Sequence, residues 1–128
     1  MLLPSRRSRV AMAVVLLLTA AGCGGGGPTG DIDKIQVTPT PFEITVINTA
    51  GRALFDVVVE IMPAGPASHF TATVPRIENG EKRNLSHTVF TDRDGVRFSL
   101  RNVKVSGVVV TAKDMDGKTF KVEVPWKQ

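Results

Sequence analysis

The chain has 128 residues, 16 lysines and arginines against 12 acids, and one cysteine, so it is one domain in size and has no partner for an intrachain disulfide. Three of the basic residues fall in the first 22, which leaves 13 against 12 acids beyond them, a net charge of +1 with histidine neutral. The two signs are interspersed, which argues against a basic footprint for nucleic acid.

The first element is an export signal. Arg6, Arg7 and Arg9 form a basic head, and an uncharged run of 12 residues, Val10–Ala21, follows. That run is short of the roughly 20 residues a membrane-spanning helix needs. It exits through Ala20, Ala21 and Gly22, just before Cys23. A basic head, a short apolar core and small residues at the exit mark a secretory signal peptide. Ala20-Ala21-Gly22-Cys23 resembles the lipobox of bacterial lipoproteins, with Ala20 where leucine is commonest. The resemblance implies diacylglycerol on the Cys23 thiol, cleavage between Gly22 and Cys23, and acylation of the new amino terminus. It also explains a lone cysteine in an exported chain. The implied location is the bacterial cell envelope: the outer membrane facing the periplasm in a Gram-negative cell, the cell surface in a Gram-positive one.

Residues 1–22 are thus read as signal peptide, 23–33 as lipidated cysteine and tether, and 34–128 as a folded domain. Gly24–Gly27, Pro28, Thr29 and Gly30 offer no side chains for a core and read as a flexible linker. Fully extended, Gly24–Asp33 would reach about 33–36 Å.

From Ile32 onward no long helical period is found. Short runs alternate apolar and polar residues instead: Phe42–Val46, Phe55–Ile61, Phe70–Val74, Leu85–Val89, Val96–Leu100, Val103–Ala112 and Phe120–Val124. Strand side chains point to opposite faces in turn, so each run has a core face and a wet face. On this alternation Phe42 and Phe55 belong to the core. Asn48–Gly51, Pro63–Pro66, Asn79-Gly80, Asp94-Gly95 and Asp116-Gly117 carry the turn chemistry that separates such strands. The pattern predicts an all-β, antiparallel, immunoglobulin-like two-sheet sandwich of about seven strands, preceded by a signal-peptide helix and a Gly-rich linker; a barrel is the alternative. Asp33–Pro41 holds Pro39 and Pro41, which suits an edge strand. Trp126 is placed over one end.

Val46–Leu54 followed by Asp56–Val59 resembles the opening hairpin of bacterial immunoglobulin-like and fibronectin-type-III-like envelope domains, the CARDB and FxLYD groups among them. Asn79-Gly80-Glu81-Lys82 is similar to their mid-domain turn. The resemblance spans about Ile35–Pro125 and implies fold and location, with no catalytic residues to carry over.

Two segments could hold a cation. Asp92-Arg93-Asp94-Gly95 and Asp114-Met115-Asp116-Gly117 both read D-x-D-G, and carboxylates two apart can ligate a hard ion such as Ca²⁺. A calcium loop needs a further acid and a later glutamate, yet Val96-Arg97 and Lys118 follow the glycines. The competing reading is a β-turn in which aspartate caps its own backbone. A shared metal site requires both loops at one end of the sandwich. His69 and His87 are the only histidines; His69 falls on a wet face, and His87 shares parity with Leu85 and Val89. Adjacent Ser86 and His87 would diverge in a strand, and no nucleophile elbow, phosphate loop or zinc-protease motif is found.

The sequence therefore points to a membrane-anchored, non-catalytic envelope module without a cofactor. It would bind or scaffold an envelope protein through loops such as Ala64–Ala67 or through a sheet edge. The alternative is a divalent-metal-binding or small hydrolytic domain using Asp92, Asp94, Asp114 and Asp116.

Overall fold

The computed structural model describes residues 27–126; the expected export signal over residues 1–22, Cys23 and the last two residues lie outside them. Eight strands form in chain order: β1 (Thr29–Gly30), β2 (Ile35–Pro39), β3 (Glu43–Asn48), β4 (Leu54–Pro63), β5 (Phe70–Ile77), β6 (Lys82–Ser86), β7 (Val105–Lys113) and β8 (Thr119–Pro125). They make two antiparallel sheets, one ordered β1-β8-β7-β4-β5 and the other β2-β3-β6. This is the expected two-sheet sandwich, and its order is compatible with an immunoglobulin-like fold.

Alternation explains the layers. Ile44 and Val46 of β3, Phe70, Ala72 and Val74 of β5, and Phe120, Val122 and Val124 of β8 all turn inward and are buried. Most strands hide one face and wet the other, as half-buried antiparallel sheets do; β7 buries Gly107–Val110 on both faces. Val57, Val59 and Ile61 of β4 and Val108 and Val110 of β7 complete the centre of the core.

Register defines two ends. At one, which we call the far end, Leu54 lies beside Ile77, and Phe55 beside Lys113. The turns Thr49–Ala53, Glu78–Glu81 and Asp114–Lys118 sit there. At the other, the near end, Met62 lies beside Gly107, which pairs with Pro125. The loops Ala64–His69 and Leu100–Lys104, the turn Thr40–Phe42 and the segment His87–Val89 gather at that end.

Four local features depart from simple alternation. Asp56 has φ of +51°, and the β4–β7 register slips by one residue between Phe55 and Val58. This bulge moves Leu54 into the core and Phe55 out of it, where the Arg76 guanidinium lies over its ring at 5.1 Å. Phe42 keeps core parity but precedes β3, in the turn, and is exposed. The run Leu85–Val89 breaks after Ser86 into a 3₁₀ turn, His87–Val89, so Val89 is exposed. Val96–Leu100 is no strand: Thr91 bridges to both Thr71 and Arg97, so Phe90–Phe98 folds as a small hairpin on the β5 edge. That hairpin buries Phe90 and Phe98.

The linker read over residues 23–33 ends sooner. Thr29 and Gly30 pair with Glu123 and Val122. The Asp31 amide donates to Lys121 O at 2.9 Å, and Asp31 Oδ2 accepts from the Lys121 amide at 2.9 Å. Backbone pairing needs no side chains, so a Gly-rich segment can cover a sheet edge. Gly30 makes it possible: a Cβ there would lie 2.2 Å from Lys121 O.

Among the described residues, one polar side chain is fully buried. Asn48, at the far end of β3, donates through Nδ2 to Ile77 O at 2.9 Å and to Arg52 O at 2.7 Å. Its Oδ1 accepts from the Ala50 amide at 2.9 Å. Asn48→Ala should destabilise the domain by about 2 kcal/mol, since buried partners lose their bonds. That corresponds to a melting temperature roughly 8–16 °C lower for a domain of this size. Asn48→Asp should cost more, because a carboxylate would face two carbonyl oxygens. A thermal melt unchanged by Asn48→Ala would contradict the assignment.

Candidate functional site

The two D-x-D-G segments form the same turn twice. Asp92 Oδ1 accepts from the amides of Asp94 and Val96, both at 2.9 Å. Asp114 Oδ1 accepts from those of Asp116 and Lys118, at 2.9 and 3.0 Å. Gly95 and Gly117 take φ of +83° and +81°, which glycine supplies without a Cβ penalty. One oxygen of the leading aspartate is thus committed to its own backbone in each turn.

The turns are also far apart in the fold. Thr91 pairs with Thr71, so Asp92–Val96 points off the near end. Asp114–Lys118 joins β7 to β8 at the far end, where Arg52 Nη1 lies 2.8 Å from Asp116 Oδ2 and 3.5 Å from Asp114 Oδ2. The structure therefore does not bring Asp92 and Asp94 together with Asp114 and Asp116. Among the described residues, no three acidic, histidine or cysteine side chains converge as metal ligands would.

His69 is exposed, as its parity predicts, and Nδ1 lies against Glu60 Oε2. It borders an open cleft of about 520 Å³ between Pro66–His69 and Thr91–Arg93. The Ala64–Ala67 loop, a candidate for binding, contributes Pro66 and Ala67 to that cleft.

His87 is half-buried. Its Nε2 lies 3.0 Å from Thr40 O, and its ring packs edge-on to Phe98 and against Trp126. Burial lowers its pKa below the usual 6.5, and the Thr40 carbonyl opposes that shift. Ser86 does not serve it: the Ser86 hydroxyl caps the 3₁₀ turn by accepting from the Thr88 amide. The two side chains diverge as expected, but because the chain turns at Ser86 and not because a strand continues.

Sequence reasoning missed the grouping at the near end. Exposed Phe42, Val89 and Val96 all lie there. So do Arg93, Arg97, Arg101 and Lys104, exposed and without an ion pair among the described residues. The paired cations Lys34, Arg52, Arg76 and Arg83 sit toward the far end, together with Lys82, Lys113 and Lys118, which have no ion pair among the described residues. Only the strand register reveals the near-end grouping, because its residues come from four separate stretches of chain.

No protein-family profile, characterised protein or solved structure matches the chain.

Two outcomes follow from this geometry. Asp114→Ala should destabilise the domain by about 1–2 kcal/mol through two orphaned amides, and Asp116→Ala by less than about 1 kcal/mol, the loss of a surface pair. Equal losses would contradict these roles, and a melt raised by millimolar Ca²⁺ in the wild type but not in Asp114→Asn would show the carboxylates serving a metal. For His87 the unfolded chain takes up a proton more readily than the folded one. Stability should be full above pH 6.5, fall as the pH drops below that value, and level off below the depressed folded pKa. His87→Phe should flatten that fall in denaturant titrations across this range; an unchanged pH profile would contradict the role given to His87.

Proposed function

We propose that the chain is the precursor of a lipid-anchored protein of the bacterial envelope, cleaved between Gly22 and Cys23. Its sandwich is a non-catalytic module that binds or scaffolds another envelope component. The observation that carries this reading is the order of parts. A basic, apolar, small-residue leader ends at the only cysteine, and four glycines separate that cysteine from a domain whose first strand begins at Thr29. The finer family resemblance, to CARDB- and FxLYD-like domains, rests on the two-sheet antiparallel architecture alone; Asn48–Gly51 is a crossover from β3 in one sheet to β4 in the other, not the opening hairpin that the resemblance implied.

The polar groups capable of chemistry have structural partners: Asp92 and Asp114 hold turns, Asn48 joins the sheets, and His87 fills the near end. Contact through loops fits better than strand addition at β2. There Pro39 lacks the amide that an added strand would need.

Crosslinking mass spectrometry on intact cells carrying the tagged full-length protein tests the reading. One envelope protein should link to the turn regions and be lost in Cys23→Ala. Recovery of nothing above an unrelated lipidated control would overturn the binding role.

A further inference from the structure

We propose that the near end of the sandwich rests on an anionic phospholipid bilayer, with Phe42, Val89 and Val96 in the headgroup region and Arg93, Arg97, Arg101 and Lys104 around them. This deepens the anchor reading above and rests on it.

Three observations carry the proposal. The first is where the chain enters. β1 runs antiparallel to β8 with Thr29 opposite Glu123, so Gly27 stands at the level of Pro125, on the near end. Fully extended, the chain from Cys23 to Gly27 spans at most about 14 Å. A lipid on Cys23 therefore keeps this end of the domain at the bilayer surface.

The second is what that end exposes. Phe42, Val89 and Val96 are 79%, 51% and 57% exposed, and three separate turns bring them there. In the core these side chains would be buried, and the fold instead holds them outward on short turns. Phe42 is fixed by the Thr40 hydroxyl, which accepts from the amides of Phe42 and Glu43.

The third is charge. Four cations at this end have no ion-pair partner among the described residues, against the acids Asp92 and Asp94 in their turn and Glu43 beside Phe42. Asp92 is partly committed to backbone amides. The surplus is positive, as contact with anionic headgroups requires, and exposed apolar residues among cations suit an interfacial site. At the far end Lys34, Arg52, Arg76 and Arg83 are paired with acids, while Lys82, Lys113 and Lys118 have no ion pair among the described residues. This orientation leaves the turns at Asn48–Arg52, Glu78–Gly80 and Asp114–Lys118, with exposed Met115, pointing away from the membrane toward a partner.

Trp126 is the only tryptophan and lies at the near end beside His87, so it reports directly. The processed full-length protein is placed in phosphatidylglycerol–phosphatidylcholine vesicles carrying a headgroup-level nitroxide lipid, and in vesicles of phosphatidylcholine alone. Trp126 quenching should be stronger with phosphatidylglycerol. The ratio of docked to undocked protein should fall about fivefold for each charge removed by Arg93→Gln or Arg97→Gln. Phe42→Ser should lower it, and Met115→Ser at the far end should not. Equal quenching in both lipids, unmoved by these variants, in protein that still floats with the vesicles would overturn the docking and leave the anchor standing. Failure of the wild-type protein to float any better than Cys23→Ala would overturn the anchor itself. A Phe42-dependent crosslink to a protein in cells, with no Phe42 effect on vesicles, would assign the surface to that protein and also overturn the proposal.

Discussion

The sandwich depends on one buried asparagine. Two sheets that share only apolar contacts have no preferred offset, because hydrophobic burial is non-directional. Asn48 supplies direction. It ends β3 in one sheet and binds the carbonyl that ends β5 in the other. Its backbone accepts from the Gly80 amide and donates to Glu81 O at 3.1 Å. Side chain and backbone together tie the β3–β4 connection to the β5–β6 turn, where the chain twice crosses between sheets. That knot places the two far-end crossovers, Thr49–Ala53 and Glu78–Glu81; the third turn, Asp114–Lys118, is held by its own Asp114 carboxylate and by Arg52.

Much of this was legible in the sequence. Asn79-Gly80, Asp94-Gly95 and Asp116-Gly117 are turns, and the alternating runs give β5 and β8 their correct inner faces. What escaped was set by backbone events that alternation does not encode. The bulge at Asp56 exchanges Leu54 and Phe55 between core and surface. β1 forms where side chains are nearly absent, because its bonds are made wholly by backbone to an edge that would otherwise be bare. Val96–Leu100 alternates like a strand, but with Gly95 and the Ser99 turn so close it can form only one arm of a short hairpin.

The candidate site shows the same limit. Each D-x-D-G segment was readable as a turn, and each is one. Whether the two could cooperate was a matter of topology, and the register of β4 with β5 and β7 separates them by the length of the sheet. The near-end cluster was equally invisible, since Phe42, Val89, Val96 and the unpaired cations are spread over more than 60 residues of chain. A sandwich gathers alternate connections at one end, and that gathering gives this domain two unlike ends. One exposes Phe42, Val89 and Val96 among unpaired cations beside the incoming chain; the other holds most of the ion pairs and lies distant from it. The proposed anchor at Cys23 would turn this asymmetry into an orientation.

The claim beneath all of this is that Cys23 carries lipid. The most direct measurement is the intact mass, with amino-terminal peptide sequencing, of the protein extracted from the membrane fraction of cells that process it. The mature chain should begin at Cys23, lack residues 1–22, and carry the added mass of a diacylglyceryl group on the thiol. A chain that retains the leader, or one cut elsewhere with a free Cys23 thiol, would contradict it.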